Sequence, residues 1–132
     1  FQAMMKFRFF YSNLPVLLAR DPALHDKYVE VQHIITVRVS NMMISLKEAN
    51  VINFENDELA DIVSLLRLVN TFWLSFYQTQ NNNVEINEAV FYEGVLKILV
   101  IIRPYTTEIG LPELMKAREM YMKKCEESLE IT

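Results

Sequence analysis

The chain has 132 residues, 52% of them hydrophobic and 23% charged, with a formal net charge of −4. That is the composition of one soluble domain with ample apolar material for a core, and two glycines and four prolines exclude hairpin-rich all-β folds, Rossmann turns and phosphate loops. Net acidity without a block of Lys or Arg argues against nucleic-acid binding by this stretch through backbone charge, while a lone Cys125 excludes an internal disulfide or a cysteine zinc site and makes a reducing cytoplasm the expected compartment.

Glycine and proline punctuate the sequence so sparsely that the segments between them all have helical length and period, and six helices are expected. Residues 1–11 form the first. Ser12, Asn13 and Pro15 interrupt its apolar stretch and no small-residue cleavage site follows, so it reads as a helix entering a core rather than a signal peptide. A start at Phe1 rather than Met is expected of a fragment of a longer protein. Asn13 is the expected cap of a short second helix, residues 13–20, with Pro15 in its first turn.

Asp21 followed by Pro22 is a start signal for a long third helix, reaching about Asn50. Its expected core stripe is Leu24, Tyr28, Val31, Ile35, Val39, Met42 and Leu46, widened by Val37, Ile44 and Val51. The β-branched residues among them lower helix propensity, so tertiary packing must supply the stability.

Asn56 is the expected cap of the fourth helix, residues 56–80, with Asp57, Glu58 and Asp61 at the positive end of its dipole. Leu59, Val63, Leu66, Asn70, Trp73 and Tyr77 make one stripe. Leu65, Leu68, Val69, Phe72 and Phe76 fill much of the remaining circumference, leaving a polar strip of Ser64, Thr71, Ser75 and Gln78. A helix apolar on nearly all sides has to be covered on nearly all sides. In a domain of this size a second subunit is the expected cover.

The polar turn at residues 81–83 leads into a fifth helix, residues 85–103, which carries Val90, Phe91, Val95 and Leu96 and an apolar run at residues 98–102. That run is the longest in the sequence and far short of the ~20 residues of a membrane helix, so no membrane partner is expected. Glu93 and Lys97 mark the wet edge of this helix. Pro104 ends it, and after Gly110 a sixth helix, residues 112–129, opens at Pro112 with Leu114, Met115, Ala117, Tyr121 and Met122 on one face. The expected fold is therefore an all-α bundle of six helices.

Catalytic chemistry finds little support. A nucleophile elbow is impossible with glycines only at Gly94 and Gly110, and Cys125, among Lys123, Lys124, Glu126 and Glu127, is expected to be a solvated thiol. Glu30 and His33 form half of a di-iron bundle motif, but the other histidine, His25, has Pro22 at the matching position, so the set cannot be completed. No enzyme, metal or cofactor is expected, and no helix-turn-helix lies within the chain.

What remains is a set of polar groups embedded in apolar helix surface: Tyr11, His33, Asn41, Asn70 and Tyr77. They serve either as interhelical hydrogen bonds that fix packing or as orienting contacts in a mainly apolar ligand cavity. With Trp73 they are the candidate ligand-lining residues.

The strings Arg8-Phe9-Phe10-Tyr11-Ser12-Asn13-Leu14, Arg20-Asp21-Pro22-Ala23-Leu24, Thr71-Phe72-Trp73-Leu74-Ser75-Phe76 and Arg103-Pro104-Tyr105-Thr106, in this order, resemble the C-terminal regulatory domain of TetR-family transcriptional regulators. The resemblance implies an effector-binding and dimerisation domain. In such regulators, commonly repressors, a helix-turn-helix ahead of it binds a palindromic operator. It further implies a homodimer joined by a four-helix bundle, two late helices from each subunit. The two over-apolar helices are the natural candidates, with Phe72, Phe76, Phe91, Val95, Ile98, Leu99 and Ile102 as expected contacts. The effector is expected to be small and hydrophobic, and operator DNA is expected to be reached only through the preceding domain. Two departures stand out: the usual Thr-Pro-Glu-Gly is Thr107-Glu108-Ile109-Gly110 here, and a further helix follows Pro112. A standalone all-helical module that binds a partner helix is the alternative.

Overall fold

The computed structural model describes residues 13–81 and 87–131. Among them are five α-helices, α1 (Leu14–Arg20), α2 (Pro22–Glu48), α3 (Leu59–Gln80), α4 (Glu88–Ile102) and α5 (Leu111–Ile131), with single 3-10 turns at Asn56–Glu58 and Arg103–Tyr105. The fold is all-α. The expected helix over residues 1–11, and with it Tyr11, lies outside the described residues, as does the expected start of the fifth helix at Glu85.

Helix ends follow local chemistry. Asp21 caps α2, its Oδ1 accepting from the Leu24 N–H at 3.1 Å, and Pro22 occupies the first turn, where no N–H is needed. At the other end the Val51 N–H donates to the Leu46 carbonyl and the Asn50 N–H to the Lys47 carbonyl. Asn50 stands between them at φ 60°. That is a Schellman stop with asparagine in the left-handed position. The side chain of Asn87 caps α4 by accepting from the Val90 N–H.

Asn56 does not cap the next helix as expected. Glu55 takes the cap position of the 3-10 turn, and the Glu58 carboxylate accepts from the Glu55 N–H at 2.8 Å. The Asn56 amide oxygen instead accepts from Lys47 Nζ at 3.2 Å, and the same ammonium donates to the Phe54 carbonyl at 2.7 Å. A cation within reach claims the oxygen that would otherwise serve the helix start.

Each helix packs chiefly on its neighbour in the chain: α1 on α2, α2 on α3, α3 on α4 and α4 on α5. The main core gathers Met43, Ile52, Phe54, Ile62, Val63 and Leu66, with Val39, Leu59, Ile98 and Ile102 packed against it. A second, smaller cluster joins Leu74 and Val90 to Trp73 and Tyr77.

The stripe expected on α2 holds at Leu24, Tyr28, Val39 and Leu46, which are half-buried, and shifts by one residue at its other three positions. Met43 is fully buried, whereas Val31, Ile35 and Met42 are 43%, 37% and 51% exposed, and Val37 and Ile44 are also exposed. Between Tyr28 and Val39 the half-buried positions are the polar Gln32 and Thr36. The reason lies on α3, where Arg67 reaches across to hydrogen-bond the Gln32 carbonyl and the Thr36 hydroxyl and so turns that face of α2 inward.

By length and composition the stretch Asn56–Gln80 would suffice to cross a membrane. Here it forms the central helix, flanked by α2 and α4.

The connector between α2 and α3 is joined to the connector between α4 and α5. Ile52 and Thr106 form an antiparallel bridge. The Asn53 N–H donates to the Tyr105 carbonyl, the Thr107 N–H to the Val51 carbonyl, and the Thr107 hydroxyl to the Asn50 carbonyl at 2.6 Å. Gly110 lies against the same strand so closely that a Cβ there would run into the Val51 carbonyl. The Thr107 hydroxyl also accepts from the Gly110 N–H.

Candidate functional site

Three features of the helix seams bear on function, and all three involve α3 or α4. The first is a cavity of about 60 Å³ between these helices, lined by Val69, Asn70, Trp73, Leu74, Phe91, Gly94, Val95 and Ile98. Trp73 is fixed there. Its Nε1 donates to the Val90 carbonyl at 2.7 Å, its ring centroid is 6.0 Å from those of Phe76 and Tyr77, and Lys97 Nζ lies 5.7 Å from it. The cavity has room for about two waters and is far below the roughly 300 Å³ at which small-molecule sites begin.

The second feature is an apolar groove of about 450 Å³ on the outer side of α3, lined by Leu68, Val69, Phe72, Trp73 and Phe76 and edged by Lys97. Leu65, Leu68 and Phe76 are 46%, 56% and 58% exposed. Spaced by three, four and four residues, Leu65, Leu68, Phe72 and Phe76 form one continuous stripe on a side of α3 turned away from the main core.

The third feature is a cleft of about 340 Å³ between α2 and α3, lined by Thr36, Ser40, Asn56, Leu59, Ala60, Val63, Ser64 and Arg67. Leu59, Ala60 and Val63 give it an apolar floor. Three hydroxyls, an amide and a guanidinium give it polar walls. Half-buried Arg67 donates through Nη1 to the Thr36 hydroxyl and, at 3.3 Å, to the Gln32 carbonyl. Both acceptors are neutral. Gln32 Oε1, on the same helix turn, is buried and meets no donor among the described residues.

Beyond α4, a smaller crevice against α5 is lined by Leu96, Lys97, Leu99, Val100, Arg103, Leu114, Arg118 and Met122. Cys125 sits in the same helix pair. It is half-buried, with Sγ 3.7 Å from the Ala89 carbonyl, rather than the solvated thiol its charged sequence neighbours suggest. Burial holds its thiol above the ordinary pKa, and the carboxylates of Glu93 and Glu126 push the same way. Among the described residues no three His, Cys, Asp or Glu side chains converge as a metal site would require.

The candidate ligand residues are scattered across these features. Asn70 and Trp73 line the small α3–α4 cavity, and Tyr77 packs on the Leu74–Val90 cluster. His33 and Asn41 are exposed on α2 and line none of the four hollows described. Tyr11 lies outside the described residues. Of the candidate dimer contacts, Phe72 and Phe76 line the outer groove, Phe91, Val95 and Ile98 the small cavity, and Leu99 the crevice against α5. Ile98 and Ile102 pack on the main core of their own chain.

Sequence reasoning missed Arg67 and the hydroxyls around it. The signal was present in Ser64, which heads the polar strip of α3, and in Arg67 three residues on, which share one side of the helix.

The family model described as TetR, bacterial transcriptional repressor, matches residues 1–114. Among solved structures, a TetR-family transcriptional regulator from Marinobacter aquaeolei VT8 is similar, with a TM-score of 0.77 and 24% identity over 89% of this chain. The chain spans 56% of the length of that structure. No curated protein matches. The arrangement of α1 to α5 is thus one that a regulator of this kind also adopts, and the family model covers most of the sequence: the chain belongs to the TetR family of transcriptional regulators.

Proposed function

We propose that residues 1–132 are the effector-binding and dimerisation region of a regulator, a repressor in its basal state, whose operator-binding helix-turn-helix precedes this stretch. The observation that carries the reading is the stripe Leu65, Leu68, Phe72 and Phe76. Leu65, Leu68 and Phe76 alone leave three large apolar side chains about half exposed on one helix face, a surface that a second copy would cover. A twofold axis beside α3 and α4 would bring four helices together, and each copy would meet the same stripe on the other. Lys97 on the rim of the groove would lie at the polar margin of such an interface.

Effector binding would act by favouring one arrangement of the helices over another, so that the spacing of the two DNA-binding heads shifts with occupancy. Nothing in this scheme needs a catalytic group. The α2–α3 cleft suits the effector better than the α3–α4 cavity on size alone, at about 340 Å³ against about 60 Å³.

Sedimentation of the chain, together with operator titration of the whole gene product, tests the proposal. A concentration-stable dimer, and operator affinity that changes with a bound small molecule, are expected. A monomer that binds other helical proteins through the α3 groove would instead favour a standalone interaction module.

A further inference from the structure

We propose that the cleft between α2 and α3 takes a monocarboxylate with a compact apolar body, the carboxylate being held by Arg67. This names the ligand class for the effector role proposed above and rests on that reading.

The argument begins with the guanidinium. A guanidinium half withdrawn from water gains most from an anionic partner, yet no Asp or Glu among the described residues forms an ion pair with Arg67, and none lines the cleft. Its hydrogen bonds to the Thr36 hydroxyl and the Gln32 carbonyl both use Nη1. They fix the plane of the group without neutralising it. Nε and Nη2 make no hydrogen bond among the described residues, and together they form the edge of a guanidinium that matches the two oxygens of a carboxylate.

The surroundings fit the rest of such a molecule. Ser40 and Ser64 place hydroxyls on the walls, and Val63 is buried in the floor. Asn56 has its amide oxygen engaged by Lys47, which leaves its NH₂ as the donor on that wall. A volume of about 340 Å³ lies at the lower end of small-molecule sites. The charge balance also decides against a phosphate dianion. Among the described residues Arg67 is the one cation in the lining, and the nearby Lys47 ammonium is already engaged by the Phe54 carbonyl and by Asn56.

Isothermal titration of the whole chain with octanoate, octanamide and inorganic phosphate tests this. Octanoate is expected to bind, octanamide to bind at least about tenfold more weakly, and phosphate not to compete. Arg67→Gln should weaken octanoate by about tenfold or more, as expected for loss of a charge-assisted pair, and weaken octanamide much less. Should Arg67→Gln fail to fold, Ser64→Asp supplies the second measurement. It sets a carboxylate three residues from Arg67 on an exposed position and should abolish octanoate binding, while Ser64→Asn, which alters the same wall without adding charge, should weaken it far less.

Equal binding of octanoate and octanamide, or no loss in either variant, would overturn the assignment, as would the absence of octanoate binding at millimolar concentration. Phosphate that displaces octanoate would reassign the cleft to phosphorylated ligands. Operator titration of the full gene product separates the two proposals. Octanoate that binds through Arg67 without changing operator affinity would leave the carboxylate site standing and remove the effector role. An operator response to some other compound, with octanoate silent, would do the reverse.

Discussion

The indole of Trp73 occupies the space where a side chain on residue 94 would stand: a Cβ built on Gly94 would lie 2.6 Å from Cδ1 and 3.0 Å from Nε1. The same indole donates to the Val90 carbonyl one helical turn earlier. Gly94 is therefore kept for contact, against the preference of a helix interior for almost any other residue. Gly94→Ala should lower stability by about 1 to 2 kcal/mol, the overpacking cost of about 1 to 3 kcal/mol outweighing a propensity gain of up to about 1 kcal/mol. In a Trp73→Phe background the same change should become neutral or stabilising. A urea-denaturation double-mutant cycle measures that coupling, and additive effects would contradict it.

Gly110→Ala should be the more damaging glycine change, at about 3 kcal/mol. The added methyl meets a backbone carbonyl, that of Val51, rather than the end of a flexible side chain. Gly110 has no positive φ, so the penalty is purely steric. Thermal unfolding should show a fall of about 10 °C, and Gly110→Ser should be at least as costly.

In the proposed dimer, charge on the α3 stripe should separate the two copies without unfolding them. Leu68→Glu and Phe76→Glu alter side chains that are 56% and 58% exposed, so the helical signal in circular dichroism should stay unchanged. Sedimentation velocity should move from dimer to monomer at micromolar concentration. A burial of even half a side chain each, met twice across a twofold axis, is worth about 1.5 to 3 kcal/mol per variant.

Cys125 should alkylate slowly. Its thiol pKa is raised by burial first and by Glu93 and Glu126 next, so at pH 8 less thiolate is present than on a free cysteine. Iodoacetamide should react faster in urea than in buffer, and Glu93→Gln should increase the native rate. The sign for stability follows from the same shift. The fold favours the neutral thiol, a contribution present through neutral pH and lost as pH rises past the pKa of the folded state.

Much of the helical framework was legible in the sequence because it rests on short-range chemistry. Asp21-Pro22, Pro104 and the Gly110 to Pro112 stretch act within a turn of where they stand. The all-round apolarity of residues 56–80 likewise announced a helix needing cover on several sides. What was not legible depends on partners far along the chain. The inward face of α2 is set by Arg67, more than thirty residues away, and this brings Gln32 and Thr36 inward in place of Val31 and Ile35. Asn56 lost its capping role to Lys47, nine residues earlier. The cleft escaped notice for the same reason, since Thr36 and Ser40 stand beside Ser64 and Arg67 only once α2 and α3 have packed.

The junction of the two connectors fixes one end of the long helix. At Asn50 to Thr107 the chain is bonded across from α2 to the foot of α5, so α2 behaves as a rod clamped at its C-terminal end. Its 27 residues make an arm of about 40 Å. A tilt of about 5° at the clamp carries Pro22, at the far tip, through about 3.5 Å, whereas Thr36 and Ser40, nearer the clamp, move by less than half as much. A displacement of α2 at Thr36 and Ser40 would thereby be about doubled or more at Pro22, and Gly110, beside the Val51 carbonyl, is what lets the clamp close.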